Sequence, residues 1–326
     1  MDNYLEIKKL ILEKIKAYDT IIIHRHFRPD GDCIGSSLGL RDILKCSFPE
    51  KKIYSVAGND HAEYLDFIGL EDEVDPSEYE NALIIVVDTS TSDRISGEEY
   101  KLGKEIIKID HHIETDPYGD INYVRDDFPA TTILIMDFFK TFEDELKMSV
   151  DGARALYVGV ITDTGRFRYS SVNGLTLKLA GDLLEYGFDT EKIYANLYLK
   201  ERNILKLQGY LLRHFKTTKN GVSYIYISKR IRDRFKVSHS DASNMVSVLD
   251  NIKGSIIWIL FIEAGEGIRA RIRSRYVNII EIAQAFNGGG HAQACGASVK
   301  NKKELKALVK KADKLLESLN HEGDWE

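Results

Sequence analysis

The 326-residue sequence predicts an α/β protein: an N-terminal parallel sheet with flanking helices, a helical connector, and a smaller α+β C-terminal domain. Three observations point there. Short β-branched runs alternate with helix-like segments as far as about Ala130; the pattern is then helical to Phe215; and period-two alternation returns after Asn220. A chain of this length has room for two ordinary domains, each able to bury its own core. The implied limits are 1–187 for the first domain, 188–215 for the connector and 216–326 for the second.

The first segment, "MDNYLEIKKLILEKIKAYD", is amphipathic and acidic from its second residue, unlike a signal peptide. Strand-like runs follow at "TIIIH" (20–24), "KIYSVA" (52–57), "ALIIVVD" (82–88) and "EIIKID" (105–110), with a helical pattern in "GSSLGLRDILKCSF". Strands that are apolar throughout and separated by helices indicate a parallel sheet covered on both faces. Ligands of such sheets collect at the carboxyl ends of the strands. Asp32, Asp88 and Asp110 therefore stand in comparable places, each at or just past a strand end.

Helical patterns run through "ATTILIMDFFKTF", "SVDGARALYVGVITD" and "VNGLTLKLAGDLLEYGF", and two more, "DTEKIYANLYL" and "ERNILKLQGYLLRHF", form the connector. "NGVSYIYIS" reads as a strand entered through an Asn220-Gly221 turn, and "SIIWILFIEAGEGIRARIRSR" as a hairpin around Gly265–Gly267. Helices at 240–252, 277–286 and 302–318 complete the second domain. The densest apolar run, "IIWILF", falls far short of the roughly 18 residues of a membrane helix. Cys33, Cys46 and Cys295 are odd in number and lack CxxC spacing, which argues against a disulfide framework and for a reducing cytoplasm.

The net charge of −6 hides an asymmetry. Residues 216–326 carry 19 Lys and Arg against 12 Asp and Glu, whereas 1–215 carry 26 against 39. This suggests cations held by the acidic part and an anion gripped by the basic part. No long basic stripe of the kind that tracks extended nucleic acid is present.

Four segments carry chemistry: His26-Phe-Arg-Pro-Asp30-Gly31-Asp32, Asp88 in "VVDTSTSDR", Asp110-His111-His112, and Asp163 in "VGVITDTGRF". They offer up to five carboxylates and three imidazoles. With no nearby lysine to compensate, such a set would repel itself without cations. Oxygen and imidazole ligands suit a first-row divalent ion, Mn²⁺ ahead of Mg²⁺ or Co²⁺, and the lack of thiolates argues against structural zinc. About seven ligands exceed what one ion takes, and two ions would suit hydrolysis of a phosphate ester.

"HFRPDGDCIGSS", "VVDTS", "IDHH" and "GVITDTGRFRYSS" resemble, in order, the four motifs of the DHH phosphoesterase superfamily, and "RARIRSR" with "FNGGGHAQACGAS" resembles its associated C-terminal domain. The arrangement is most similar to the nanoRNase and pAp-phosphatase subfamily. That resemblance implies a two-metal enzyme acting on short single-stranded RNA and on small phosphorylated nucleotides such as 3′-phosphoadenosine 5′-phosphate. It implies that His26, Asp30 and Asp88 hold one ion, and that Asp32, Asp88, His111 and Asp163 hold the other. His112 would face the scissile phosphate, with Asp110 orienting the segment. His24 lies outside the motif and reads as a structural residue.

In the C-terminal part, Gly288, Gly289 and Gly290 let backbone N–H groups approach an anion, His291 adds a donor, and the helix-like segment after them would add its N-terminal dipole. Arg271, Arg273 and Arg275 alternate on the preceding strand and so share a face, which could grip a terminal substrate phosphate. Arg273 and Ser274 best match the family pattern. Arg166, Phe167, Arg168 and Tyr169 follow a ligand position, where rings could stack on a base or simply fill the core. Hydrolysis of cyclic dinucleotides or linear pNpN is a rival within the same chemistry, a non-hydrolytic nucleotide-binding regulator one outside it, and a homodimer is left open.

Overall fold

The computed structural model describes residues 4–58, 60–265 and 267–319. The outer limits expected at 1 and 326, and residue 266 of the expected hairpin turn, lie outside the described residues. Two compact units divide between Leu197 and Tyr198. No helix among the described residues is long and apolar enough to cross a membrane.

The first unit runs α1 (Leu5–Ala17), β1 (Thr20–His24), α2 (Gly31–Ser47), β2 (Lys52–Ser55), β3 (Leu83–Val87), β4 (Glu105–Asp110), β5 (Ile121–Val124), α3 (Thr131–Thr141), α4 (Val150–Asp163), α5 (Gly174–Leu184) and α6 (Thr190–Tyr198). Its five strands lie in the order β2-β1-β3-β4-β5, all parallel. Every residue of β3 is buried, as an apolar run with no alternation requires. Ile21, Ile23, Leu83, Ile85 and Val87 join the core shared with the helices. The other face, Ile22, Ile84 and Val86, is covered by Tyr79, Ile95 and Tyr100, which come from short 3₁₀ turns and loops rather than long helices. Strand order reverses between β1 and β3, the place where such sheets leave a crevice at the strand ends.

Helices α2 and α4 pack closely because small residues face each other. A Cβ on Gly35 would stand 2.5 Å from the Ala155 carbonyl oxygen, and one on Gly159 would stand 2.7 Å from Asp32 Oδ1. This approach brings the start of α2 beside the end of α4, hence Asp32 near Asp163.

The second unit runs α7 (Arg202–His214), β6 (Lys216–Thr217), β7 (Val222–Ile227), α8 (Lys229–Phe235), α9 (His239–Ser243), β8 (Ile257–Ala264), β9 (Gly267–Ser274), α10 (Ile280–Gln284), β10 (Gly289–His291), β11 (Ala294–Val299) and α11 (Lys302–Leu319). Its six-stranded sheet has the order β10-β11-β9-β8-β7-β6, with β7 and β8 parallel and the other pairs antiparallel. Segment 188–215 divides: Ile193 of α6 joins the first unit's core, while Leu207 and Leu211 of α7 join a core of the second.

Two expectations fail here. The segment after Gly288–His291 is a strand, β11, not a helix, so no helix dipole follows the glycines. The reason is visible in "ACGASV", where Cys295, Ala297 and Val299 alternate into the core. The alternating face of β9 consists of Arg269, Arg271 and Arg273; Arg275 lies past the strand end, where its guanidinium donates to the Asp250 carbonyl and sits over Trp258.

Candidate metal centre

Four structural devices deliver the acidic and imidazole groups to the carboxyl edge of the first sheet. The loop after β1 carries His26 and ends at Asp30, which caps α2: its Oδ1 accepts from the N–H groups of Asp32 and Cys33, each at 3.1 Å. Asp88 follows β3 directly, with a left-handed φ of 52°. Asp110 ends β4, and Asp163 ends α4.

Asp32 is fully buried and reaches the first turn of α3. Its Oδ2 accepts from Thr131 N at 2.7 Å, and its Oδ1 accepts from Thr132 N at 3.0 Å and Thr132 Oγ1 at 2.6 Å. The helix has no side-chain cap of its own at Ala130, so Asp32 supplies one from a distant part of the sequence. Thr131 Oγ1 in turn donates to Asp88 Oδ1 at 3.0 Å.

The histidines are oriented by main-chain carbonyls. His26 Nδ1 lies 2.9 Å from the Phe27 carbonyl oxygen, and His111 Nδ1 lies 3.3 Å from that of Phe128. A carbonyl only accepts, so each Nδ1 carries the proton and each Nε2 is turned inward. His26 Nε2 faces Asp88 Oδ2 at 3.5 Å; His111 Nε2 faces Asp88 Oδ1 at 3.6 Å and Asp163 Oδ2 at 3.3 Å. His112, half-buried, pairs its Nδ1 with Asp110 Oδ1 at 2.8 Å and packs its ring against His111. His24, by contrast, has Nδ1 on the Ser96 carbonyl and Nε2 against Tyr79 Oη, and burial pushes its pKa down to about 4. It is a neutral scaffold residue.

Among the described residues, three groups hold ligand atoms within 4.8 Å of one another: His26, Cys33 and Asp88; Asp88, His111 and His112; and Asp32, His111 and Asp163. Asp88 belongs to two of them. Asp30 belongs to none of them, and its Oδ1 is engaged in capping α2. The sequence set Cys33 aside as a ligand, because its thiol has no CxxC spacing; the structure places its sulfur beside His26 and Asp88.

The sequence also suggested that no lysine compensates these carboxylates. Lys108 does so for one of them: fully buried two residues before Asp110 on the same face of β4, its ammonium lies 3.6 Å from Asp110 Oδ2. Burial would raise Asp110, but hydrogen bonds from His112 and the charge of Lys108 outweigh it and hold the carboxyl below its ordinary value. For Asp88 and Asp32 the neighbouring cation is His111, and its charge offsets only part of the rise. Burial, then the neighbouring carboxylates, push both upward. Burial would lower His111, yet Asp163, Asp32 and Asp88 together raise it to about 10. A cluster whose carboxylates resist ionising while its imidazole is held cationic fits a divalent ion in place of those protons.

Asp32, Asp88 and His111 all bind protons more tightly folded than unfolded, so metal-free protein loses their contribution as pH rises, for His111 between 6.5 and about 10. Melting temperatures of chelator-treated protein should fall across that window, and divalent ions should restore most at its alkaline end. A melting temperature that climbs with pH in the chelated protein would contradict this electrostatic reading.

In the second unit, Arg271 and Gly288 line a groove of about 370 Å³ together with His239, Ser243, Arg269 and Asn287. Arg273 is half-buried, its guanidinium donating to the Cys295 carbonyl at 3.4 Å. Ser274 points the other way: it is buried and its hydroxyl donates to the Val277 carbonyl. Gly289, Gly290 and His291 form the exposed edge strand β10. Burial, then Arg232, Arg271 and Arg269, push His239 below its ordinary value, which marks the groove as electropositive. Arg269 was legible as one more step of the same alternation; His239, in a capping segment, was not. Near Asp163, Phe167 packs on the first core while Tyr169 is exposed.

Residues 20–160 match the DHH family, N-terminal domain, and residues 220–318 match the DHHA1 domain. A Bacillus subtilis protein named bifunctional oligoribonuclease and PAP phosphatase NrnA is 38% identical over 90% of this chain and 93% of its own. A Streptococcus mutans protein named as a probable enzyme of the same kind is 39% identical over 89% of this chain and 93% of its own. The crystal structure of an exopolyphosphatase-related protein from Bacteroides fragilis superposes with a TM-score of 0.83 at 26% identity, covering 96% of this chain and 98% of that one. The chain belongs to the DHH family, in the group that joins the DHH N-terminal domain to a DHHA1 domain.

Proposed function

We propose that this chain is a metal-dependent phosphoesterase that hydrolyses short oligoribonucleotides to mononucleotides and removes phosphate from 3′-phosphoadenosine 5′-phosphate. One observation carries the reading: His26 and His111 both commit Nδ1 to a main-chain carbonyl and turn Nε2 onto the single carboxylate of Asp88. Imidazoles held in that tautomer are prepared to ligate rather than to shuttle protons. The names of relatives that match nearly end to end support the substrate class.

In this reading His26, Asp30, Asp32, Asp88, His111 and Asp163 hold two divalent ions, Mn²⁺ ahead of Mg²⁺ or Co²⁺. When bound, the ions would polarise the phosphoryl oxygens and ease deprotonation of water. The chain does the positioning. Thr131 and Thr132 fix both oxygens of Asp32, and Asp110, steadied by Lys108, holds His112 through its Nδ1 with the other ring nitrogen available to the phosphate. Arg271, Arg273 and the Gly288–His291 segment bind substrate phosphate. A cytoplasmic site of action belongs to the same reading, since all three cysteines are free.

Purified protein with Mn²⁺ should release mononucleotides from labelled RNA dimers to pentamers, and phosphate from 3′-phosphoadenosine 5′-phosphate. Tight binding of these compounds without turnover would establish the non-hydrolytic regulator instead, and exclusive turnover of pNpN would shift the substrate class. Arg273→Ala should raise KM for short RNA by about tenfold, the worth of one charged hydrogen bond, with little change for a chromogenic phosphodiester. Equal losses on both substrates would remove Arg273 from the binding role.

A further inference from the structure

We propose that Cys33 makes one ion position thiophilic: its Sγ joins His26 and Asp88 as an additional protein ligand, beside the Asp30 of the proposed function, for Co²⁺, Zn²⁺ or Cd²⁺. The inference rests on the metal-dependent reading above and adds a ligand and a selectivity to it.

Cys33 is wholly buried in the first turn of α2. Its sulfur lies in one group with a His26 nitrogen and an Asp88 oxygen, all within 4.8 Å of one another. Its other polar contact is weak, 3.8 Å to the His26 carbonyl. A buried thiol can also serve as a small apolar filler, and the variants below separate that role from ligation. A disulfide is not its role: Cys46 is exposed elsewhere and Cys295 belongs to the second unit.

Two observations make the sulfur a natural additional ligand. Asp30, assigned to an ion in the proposed function, has Oδ1 engaged by two main-chain N–H groups and so offers at most Oδ2. His26 Nε2 already faces Asp88 across 3.5 Å. Adding a thiolate to imidazole and carboxylate ligands moves a site's preference from hard Mn²⁺ and Mg²⁺ toward softer ions. On binding, the S–H proton passes to solvent as the sulfur–metal bond forms, with no change in oxidation state.

The test uses the full-length protein, stripped with chelator and kept under argon with a phosphine reductant. Titration with Co²⁺ should produce a thiolate-to-cobalt charge-transfer band in the near ultraviolet. The Cys46→Ser, Cys295→Ala protein should keep the band, and Cys33→Ser and Cys33→Ala should each lose it. Cd²⁺ affinity should fall about tenfold or more in both Cys33 variants while Mn²⁺ affinity changes far less. A wild-type protein that binds Co²⁺ without the band, a band that survives in Cys33→Ser, or equal losses of Cd²⁺ and Mn²⁺ affinity would each overturn the assignment. Failure of the underlying reading looks different: wild-type protein would not bind Mn²⁺ and would not turn over short RNA. Mn²⁺ binding and turnover without the cobalt band would sink the thiol ligand alone.

Discussion

Asp88→Asn should reduce kcat/KM on short RNA by roughly a thousandfold or more, about 4 kcal/mol of lost transition-state stabilisation. Asp88 is 2% exposed and is the carboxylate toward which His26, His111 and His112 all converge. Asparagine is the informative replacement, because it tolerates the left-handed backbone at φ 52° and keeps an oxygen for the Thr131 hydroxyl. What it removes is the negative charge. That charge is disfavoured in the metal-free fold, since burial and Asp32 push Asp88 toward protonation. Metal-free Asp88→Asn should therefore melt no lower than the wild type at neutral pH. Initial rates across a Mn²⁺ series, with melting curves on the same samples, separate the two outcomes. A variant that melts normally yet retains substantial activity would remove Asp88 from the centre of the site.

Gly35→Ala should destabilise the first unit by about 1–3 kcal/mol and weaken metal binding with it. The added Cβ would stand 2.5 Å from the Ala155 carbonyl oxygen and 3.0 Å from Gly159 N, both backbone atoms that cannot rotate away. Relief requires α2 and α4 to separate, which moves Asp32 from Asp163. Urea unfolding and Mn²⁺ titration of the same preparation test the coupling. Unchanged stability would mean that the helices are not held at this distance. Lowered stability with unchanged Mn²⁺ affinity would mean that the site does not depend on it.

Legibility in the sequence followed burial. Strands β1, β3 and β4 were visible because both faces are covered, which leaves an unbroken apolar run. Strand β5 was not: "INYV" is short, carries Asn122, and lies at the sheet edge. Strand β11 was hidden because its buried positions, Cys295, Ala297 and Val299, are small, and an alternation of small residues resembles a glycine-rich turn. At the site, Asp88 and Asp110 could be placed from strand ends alone. The bonds from Thr131 and Thr132 to Asp32 join residues about a hundred positions apart, so no local pattern announces them. Lys108 misled for a related reason. Its side chain belongs to a buried strand, and only the packing of Tyr118 and the Ser90 and Asp116 carbonyls shows how an ammonium is tolerated there.

The most direct measurement is the number of Mn²⁺ ions bound per chain, by equilibrium dialysis with metal analysis and electron paramagnetic resonance. Shared use of Asp88 by two ligand groups predicts two ions in the wild type, close enough for their spins to couple. Asp88→Asn should lose both. A single uncoupled ion in the wild type, with short RNA still hydrolysed, would contradict a two-metal centre built around Asp88.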